Sequence, residues 1–514
     1  MTLKMMTDAA LTDDNIFSKP LIELLEKLHR RFEPRRAQLL QDRKIRQKAY
    51  DDGAIPDYLD RESIAASSVW KVNPIPPELN CRRVEITGPV NSAKMVISML
   101  SRTESGDRAD MAMLDFEDSM RPTFANVVHG YKNVIGAVSG KLSFKTPEKT
   151  YSLNSKDMAY VMVRVRGLHL DETHVEIDGQ PIAAGLMDLV VNFFHTAKIY
   201  RDQNKTPKYY VPKCEHHLEA RWWNDLFTDL EKEFNYPVGT LRATFLIETL
   251  PATFQIEEIL YEIRDHAVGL NVGRWDKIFS DIKVLRNHKN RIMPDRGTIT
   301  MDRIWMENYA KRVIKICHDR GAFAMGGMSA FTPGKTPELR KEQTNKVIQD
   351  KKREASWGHD GCWVSHPYFI GPAMKAFKNK NQLNKKLNDF DKYPDIHPQN
   401  IGPHTLHGLR TNIRVGIAYL HGWNAGLGCV SYNNLMEDLA TLEISRAQTW
   451  QWLHHQITLD DGMKVTKDLI LKSFDDEYET ILKELGPKAK VDLMKAKTEA
   501  ANLFTQETLQ DFFH

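Results

Sequence analysis

The sequence predicts an α/β protein built on a (β/α)₈ TIM-type barrel, with an N-terminal helical segment and a C-terminal helical domain. Eight short runs of apolar or β-prone residues follow one another from residue 83 onward, and stretches with helical patterning separate most of them. Alternating strands and helices are typical of a parallel barrel, and largely apolar strands are expected where both faces of the sheet are covered. The eight runs are 83–87, 111–115, 160–164, 208–212, 242–248, 268–271, 321–325 and 362–365.

The N-terminal part should be helical. Leucines at helical spacing predict a helix from residue 17 to about 50, and Pro34 is expected to interrupt it. The many basic residues of this segment, Arg36 and Arg43 among them, should form a solvated face.

Two segments, 334–356 before the eighth run and 378–400 after it, are polar and rich in lysine, so we expect long surface loops there. Helices are expected near 412–420, 435–455, 466–485 and 499–513. The predicted domains are an N-terminal helical clasp (1–80), the barrel (81–377), a polar linker (378–407) and a C-terminal helical domain (408–514).

Composition excludes several classes of partner. The 71 Lys and Arg residues nearly balance 68 Asp and Glu residues, which gives no electrostatic case for nucleic acid or an anionic membrane surface. No apolar run approaches the roughly 18 residues of a membrane span. The five cysteines are scattered and the N-terminus lacks a signal-peptide pattern, so we expect a reducing compartment, the cytoplasm. The sequence does not indicate an oligomeric state.

Charged residues stand at the carboxyl ends of several predicted strands, where barrel enzymes carry their functional groups. Converging carboxylates with an arginine suit a hard divalent cation that holds an oxygen-rich anion, and two carboxylate ligands favour Mg²⁺ over Ca²⁺. The alternative is that acids such as Glu248 and Asp276 only satisfy backbone donors at helix starts. The residues concerned are Asp115, Glu117, Asp118, Arg164, Arg166, Glu248 and Asp276.

Several longer motifs resemble those of the malate synthase family, in its shorter A-type form. They are RRVEITGPV (82–90), MLDFEDSMRPT (113–123), VRVRGLHL (163–170), the segment 246–283 with IETLPA and GRWD, GAFAMGGMSAF (321–331) and LMEDLATLEISRAQTWQWLHH (435–455). The resemblance covers nearly the whole chain. It implies a magnesium-dependent acyltransferase that condenses acetyl-CoA with glyoxylate and hydrolyses malyl-CoA to malate and CoA, as in the glyoxylate bypass.

The resemblance also implies roles for particular residues. Glu248 and Asp276 would be the Mg²⁺ ligands, and Arg164 would be the active-site arginine. Asp438 would be the acid/base that acts on acetyl-CoA, although an acid near a helix start could also serve only the helix dipole. Glu117 and Asp118 would orient Arg164 or metal-bound water.

Two assignments for this mouth of the barrel rest on local chemistry. Arg166 could exchange roles with Arg164, two residues away. Backbone N–H groups where a loop opens a helix could hold the substrate carboxylate, and here these belong to Gly273, Arg274 and Trp275.

The CoA contacts and the function itself have alternatives. Glycines after the seventh strand could admit the pantetheine arm, or could form only a tight turn. The candidate CoA residues are Gly326, Gly327, Met328, His366 and Pro367. A malyl-CoA or citramalyl-CoA lyase on a similar barrel, or a non-catalytic relative, would be the competing functions. The long C-terminal segment argues against the lyase, and the presence of all four proposed reactive residues argues against a non-catalytic protein.

Overall fold

The computed structural model describes residues 3–5 and 15–514. Eight parallel strands close into a barrel in sequential order, so that β8 pairs with β1. They are β1 (Val84–Pro89), β2 (Met111–Asp115), β3 (Tyr160–Arg164), β4 (Lys208–Val211), β5 (Arg242–Ile247), β6 (Ala267–Val272), β7 (Phe323–Ser329) and β8 (Gly361–Val364). The barrel prediction is confirmed, and each of the eight apolar runs overlaps one strand.

Helices cover the barrel and build the two ends of the chain. They are α1 (Lys19–Asp51), α2 (Ile64–Ser67), α3 (Ala93–Leu100), α4 (Phe124–Val138), α5 (Ala184–Asp202), α6 (His217–Glu233), α7 (Leu250–Thr253), α8 (Ile256–Glu262), α9 (Arg274–Val284), α10 (Ile304–Arg320), α11 (Pro337–Trp357), α12 (Ile370–Met374), α13 (Leu406–Asn424), α14 (Leu439–His454), α15 (Lys467–Leu485) and α16 (Lys490–Phe504). Within the described residues, no helix is long and apolar enough to cross a bilayer.

Within residues 3–5 and 15–514, short strands outside the barrel form three small sheets. One sheet joins Lys4–Met5, Asp171–Ile177 and Gln180–Ala183. The other two are hairpins, Ser143–Lys145 with Thr150–Ser152 and Val430–Tyr432 with Leu435–Glu437. The second hairpin lies just before α14, where the sequence pattern had predicted helix from residue 435.

The barrel interior is packed rather than open. A cluster rich in methionine and aromatic side chains fills it, including Met113, Met325 and Phe323. Toward the amino ends of the strands, the buried Arg82 guanidinium donates to Glu85 at 2.6 Å and to the Tyr210 hydroxyl at 2.7 Å. Because the interior is filled, we look for a substrate site at the carboxyl ends of the strands, where barrel enzymes carry their functional groups.

The helix α1 runs as one continuous element over 33 residues and contains Pro34. The predicted interruption at Pro34 is therefore wrong; packing against the barrel outweighs the loss of one helical hydrogen bond. The predicted solvated face is also wrong for two arginines. Arg36 donates to the Leu168 carbonyl at 2.6 Å, and Arg43 donates to Glu219 and to the Lys213 carbonyl, each in a buried position.

Two further predictions about the C-terminal half are wrong. The polar segment 334–356 is mostly helix, because Thr336 caps α11 and the helix docks a buried Lys351–Glu354 pair on β7. The last helix covers Lys490–Phe504 instead of 499–513. The segment after it consists of bends and irregular backbone, and its carbonyls at Gln506 and Gln510 accept from Trp450 and Arg446 of α14.

Helix α14 joins the C-terminal domain to the barrel. It is buried along most of its length and packs against α9 on one side and α13 on the other. Because α9 starts at the carboxyl end of β6, this packing brings the start of α14 to the mouth of the barrel.

Candidate active site

A small enclosed cavity of about 40 Å³ lies at the carboxyl ends of the strands. Residues from seven of the eight barrel strands or the loops after them line it, together with residues just before and within α14. The structure thus brings together residues that the sequence separates by more than 300 positions. The charged residues on its walls are Asp115, Asp118, Arg164, Arg274, Glu248, Asp276 and Asp438.

Arg164 faces this cavity and is fixed by Asp115. Its Nε and Nη2 donate to the two carboxylate oxygens of Asp115, each at 2.7 Å. Burial favours the neutral form of Asp115, but Arg164 and donors from Ser119 and the Glu117 amide outweigh it and lower the pKa of Asp115. The remaining nitrogen, Nη1, lies 3.2 Å from Asp118 Oδ2 and 3.4 Å from Glu117 Oε2. Glu117 and Asp118 therefore lie beside Arg164; that they orient it or metal-bound water stays a prediction.

Arg166, the alternative to Arg164, points away from the cavity. Its backbone N–H and its Nε and Nη2 donate to the buried Asp188, and its Nη1 donates to Glu172 at 2.7 Å. All of these partners lie outside the barrel mouth, on or near α5. Of the two alternatives, Arg164 lines the cavity and Arg166 does not; the role of Arg164 stays a prediction.

Glu248 and Asp276 both line the cavity, and each has one carboxylate oxygen that accepts no hydrogen bond within the described residues. Glu248 Oε1 accepts from the Lys213 amide at 2.9 Å, whereas Oε2 is buried and accepts no hydrogen bond within the described residues. Burial and Asp276 raise the pKa of Glu248 well above its ordinary value. A Cβ at Gly273 would stand 2.6 Å from Glu248 Oε2, so this approach of backbone to carboxylate requires glycine.

Lys213 is a residue of the site that the sequence interpretation missed. Its ammonium lies 2.9 Å from Glu117 Oε1, 2.8 Å from Asp118 Oδ1 and 3.3 Å from Asp276 Oδ1. Burial opposes its charge, but these carboxylates outweigh burial and raise the pKa of Lys213 well above its ordinary value. The backbone of Lys213 is in the left-handed region, with φ of 51°.

A left-handed backbone is costly for a residue with a side chain, and contacts on both sides of Lys213 hold it. Its amide donates to Glu248, and its carbonyl accepts from Arg43 of α1. The rule that singled out Arg164, a charged residue at a strand end, also applies to Lys213 after β4. Asp115 was likewise noted as a strand end without being given a role.

Asp438 stands at the junction of the hairpin and α14. Its Oδ1 accepts from the Thr441 amide at 3.3 Å, so it caps the helix, and it also lines the cavity. Burial raises the pKa of Asp438 well above its ordinary value, and the nearby Asp118 and Asp276 raise it further. The Asp438 carboxylate therefore caps α14 and also lines the cavity.

The backbone donors predicted at the start of α9 are only partly available. The Gly273 amide donates to the Tyr309 hydroxyl at 3.2 Å, and this hydroxyl contacts the Ile247 carbonyl. The first-turn amides of Arg274 and Trp275 have no partner inside the helix. The Arg274 guanidinium donates to the Ile299 carbonyl and lies over the Trp275 ring, with 4.4 Å between Cζ and the ring centroid.

The candidate CoA residues differ in whether they line the cavity or serve the packing around it. A Cβ at Gly326 would meet Glu354 Oε2 at 2.5 Å, and the Gly327 amide donates to Glu354, so both glycines serve the packing of α11 on β7. Of this group only Met328 lines the enclosed cavity. His366 caps the turn that begins at Pro367 by accepting from the Tyr368 amide at 3.1 Å. A CoA contact of these residues stays a prediction.

Fold and site together define a class: a parallel-barrel enzyme that combines a carboxylate cluster, a buried arginine and a carboxylate from an appended helical domain. Family models match the chain along most of its length, namely the malate synthase N-terminal domain (3–62), the malate synthase TIM barrel domain (160–399) and the malate synthase C-terminal region (403–514). The chain belongs to the malate synthase family and is an acyltransferase.

Individual relatives agree with this assignment. The chain is 45% identical over 513 residues to malate synthase of Myxococcus xanthus, with 97% of this chain and 92% of that protein covered. It is 42% identical over 504 residues to malate synthase A of Escherichia coli, covering 94% and 93%. A solved malate synthase from Haloferax volcanii, a magnesium and glyoxylate complex, matches at 13% identity and TM-score 0.46, covering 82% of this chain and 98% of that one. The lyase alternative is less well supported than malate synthase.

Proposed function

We propose that this malate synthase uses acetyl-CoA and glyoxylate with Mg²⁺, and that the enclosed cavity at the barrel mouth is its catalytic centre. The observation that carries the proposal is the convergence of Arg164, Glu248, Asp276 and Asp438 on one cavity. Three of them come from different barrel strands or the loops after them, and the fourth comes from the C-terminal domain. Such convergence matches the needs of a reaction that must both polarise an aldehyde and remove a proton from a methyl group.

Asp438 is the proposed base. The methyl protons of a thioester are weakly acidic, so the base must be held close to them and sheltered from water. Asp438 is buried and is fixed by the start of α14. It would take one methyl proton of acetyl-CoA onto a carboxylate oxygen. The resulting enolate carbon would form a bond to the aldehyde carbon of glyoxylate while the C=O π bond breaks, and its electron pair would go to the aldehyde oxygen, which becomes an alkoxide and then a hydroxyl on protonation.

Arg164 is the proposed partner for the developing negative charge. A guanidinium stays protonated while an enolate oxygen forms beside it, and it can therefore stabilise that oxygen without giving up a proton. The bidentate pair with Asp115 holds the guanidinium plane in one orientation before the substrate arrives. Little reorganisation is then needed at the moment of reaction.

The donor set fits a hard divalent cation. Glu248 Oε2 accepts no hydrogen bond within the part of the chain described, and Asp276 Oδ1 has only the Lys213 ammonium at 3.3 Å. Among the described residues no group of three or more His, Cys, Asp or Glu side chains has metal-binding geometry. Two carboxylates plus water and substrate oxygens is the coordination that Mg²⁺ accepts readily. Mg²⁺ held by Glu248 and Asp276 would polarise the oxygens of glyoxylate as a Lewis acid.

The thiols of the chain fit a reducing compartment, and we propose the cytoplasm. All five cysteines are free, and three of them are buried.

The two predicted CoA contacts that remain open, Met328 and the His366–Pro367 turn, lie at the ends of β7 and β8 beside the same mouth.

The reaction can be tested by measuring thiol release from acetyl-CoA in the presence of glyoxylate and Mg²⁺. We expect release that depends on glyoxylate, stops with EDTA, and yields malate in equal amount. The variant Asp225→Asn, which alters an exposed carboxylate paired with Arg35 far from the barrel mouth, should keep full activity. Release of thiol without glyoxylate, or no release from folded protein saturated with Mg²⁺, would contradict the proposed reaction.

A further inference from the structure

Thr87 carries a buried hydroxyl without a partner at the wall of the catalytic cavity. The residue belongs to β1 and is 4% exposed. It lines the cavity, and its Oγ1 takes part in no hydrogen bond within the described residues. Most buried polar side-chain atoms of folded proteins have a partner, so this unpaired hydroxyl calls for an explanation.

The geometry of β1 directs Thr87 into the barrel. Side chains two residues apart on a strand point to the same face of the sheet. Glu85 points inward, since it contacts Arg82, Tyr210 and Trp363 in the barrel interior. Thr87 therefore also points inward, one layer closer to the mouth than Glu85.

The polar groups of the layer below Thr87 are satisfied by one another. Glu85 accepts from Arg82 Nε at 2.6 Å and from Trp363 Nε1 at 3.0 Å. The Tyr210 hydroxyl accepts from Arg82 at 2.7 Å and donates to Glu85. None of these groups bonds to the Thr87 hydroxyl. The packing of the interior therefore does not account for this hydroxyl.

On the mouth side, Thr87 lies next to the residues that hold Arg164. The Arg164 guanidinium lies over the Trp363 ring, with 5.8 Å between Cζ and the ring centroid, and it pairs with Asp115. Trp363 belongs to β8 and Asp115 to β2, and these strands are the two neighbours of β1. Thr87 therefore stands on the part of the barrel wall between the two residues that contact Arg164.

The proposed metal ligands belong to the opposite part of the wall. In the closed barrel β1 is four strands from β5 in either direction, and Glu248 directly follows β5. Asp276 follows β6, the next strand. A substrate held by Mg²⁺ at these two carboxylates would have its other side directed toward Thr87 and Arg164.

We propose that Thr87 is a further catalytic residue, whose hydroxyl donates a hydrogen bond to a substrate carbonyl oxygen that gains negative charge beside Arg164. The inference rests on the proposed function. Two oxygens have this chemistry: the thioester oxygen of acetyl-CoA and the aldehyde oxygen of glyoxylate. The hydroxyl keeps its proton throughout. A donor that is fixed and unpaired before the substrate arrives gives up no other hydrogen bond when the oxyanion forms.

Thr87→Val removes the hydroxyl and keeps the shape of the side chain. We expect kcat at saturating acetyl-CoA, glyoxylate and Mg²⁺ to fall about 10²-fold. KM for either substrate should change by less than about threefold, because the contact strengthens in the transition state. The midpoint of urea unfolding should stay the same or rise, because an unpaired buried hydroxyl does not stabilise the folded state.

Two further variants complete the test. Thr87→Ser retains the hydroxyl and should keep kcat within about 10-fold of the wild-type value. Thr449→Val is the matched control. Thr449 of α14 is also fully buried, and its Oγ1 also has no hydrogen-bond partner in the part of the chain that the structure describes, but it does not line the catalytic cavity. Its substitution should leave kcat unchanged.

The kinetic isotope effect with acetyl-CoA deuterated in the methyl group distinguishes the two oxygens, and either result supports the proposal. If Thr87 contacts the thioester oxygen, Thr87→Val slows proton removal, and the isotope effect on kcat rises. If it contacts the aldehyde oxygen, the variant slows formation of the carbon–carbon bond, and the isotope effect falls.

Three results would overturn the role of Thr87 while the wild type is active. They are a wild-type kcat for Thr87→Val, a loss of activity in Thr87→Ser as large as that in Thr87→Val, and unfolding of Thr87→Val at lower urea than the wild type. Absence of thiol release by the wild type itself would contradict the proposed function, and this inference with it.

Discussion

Arg164 and Asp115 stand opposite each other at the ends of neighbouring strands β3 and β2 and form a bidentate pair, with both hydrogen bonds at 2.7 Å. The pair leaves Nη1 as the guanidinium nitrogen directed at Glu117 and Asp118. Since a bidentate pair fixes a plane as well as a distance, Asp115 sets the orientation in which Arg164 would meet the substrate under the proposed function.

Arg164→Lys should lower kcat about 10²- to 10³-fold, because an ammonium keeps the charge but cannot reproduce the fork. Steady-state kinetics with both substrates at saturation measures the effect. Arg166→Lys is the matched control: it disturbs the structural pair with Asp188 and should act on stability first. Near wild-type kcat for Arg164→Lys would remove this residue from the mechanism.

Mg²⁺ should stabilise the folded protein through Glu248 and Asp276. A ligand at about 100 times its Kd adds about 2.7 kcal/mol to the free energy of unfolding, and thermal unfolding with and without EDTA measures this gain. Glu248→Gln and Asp276→Asn should each lose most of it, whereas the exposed Asp225→Asn should keep it. A gain that survives both substitutions would place the metal elsewhere.

Lys213→Met should lower the free energy of unfolding by about 3–5 kcal/mol in metal-free protein, because three buried carboxylates lose their ammonium partner. Mg²⁺ should restore part of this loss by supplying positive charge at the same cluster. Urea unfolding with and without Mg²⁺ measures both effects.

Lys277→Met is the control for this experiment. Lys277 is also buried, but it pairs with Asp281 within α9 and not with the acid cluster. Its loss should destabilise the protein, and Mg²⁺ should add no more to the free energy of unfolding of this variant than it adds to that of the wild type, whereas Lys213→Met should gain more. Equal rescue of both variants would show that the metal does not act at Lys213.

The pH dependence of stability should report on Asp438. Its folded-state pKa lies well above the unfolded value of about 3.9, so between the two the folded protein holds a proton that the unfolded chain has released. This contribution to stability is therefore lost as pH rises through that window. Asp438→Asn lacks this pH-dependent contribution to stability. It still caps the helix, since Asn is a good N-cap residue.

In metal-free buffer the variant should thus gain stability relative to the wild type as pH rises from about 4, by at most about 1.4 kcal/mol per pH unit. Urea unfolding across pH 4 to 8 measures the difference. A difference that stays constant over this range would contradict the raised pKa.

The barrel could be predicted from sequence because the eight buried strands are local apolar runs. Glu248 and Asp276 could be located because functional groups of barrels follow strand ends. What periodicity could not show were contacts that depend on tertiary packing. Lys213 reaches the acid cluster because its backbone is left-handed and is held there by Arg43 of α1. Helix α11 forms in a polar segment because one buried Lys351–Glu354 pair docks on β7.

The position of Asp438 is the clearest case of this limit. The sequence identified it by resemblance alone, since its spacing from Asp276 gives no distance. The packing of α14 on α9 puts both in one cavity.

The central claim is that Asp438 removes the methyl proton of acetyl-CoA, and the most direct test is kcat of Asp438→Asn at saturating Mg²⁺, with calorimetry of Mg²⁺ and acetyl-CoA binding beside it. The account predicts a fall in kcat of about 10²- to 10⁴-fold with both affinities retained. A variant that turns over at close to the wild-type rate would contradict the account, as would one whose lost activity is explained by lost binding.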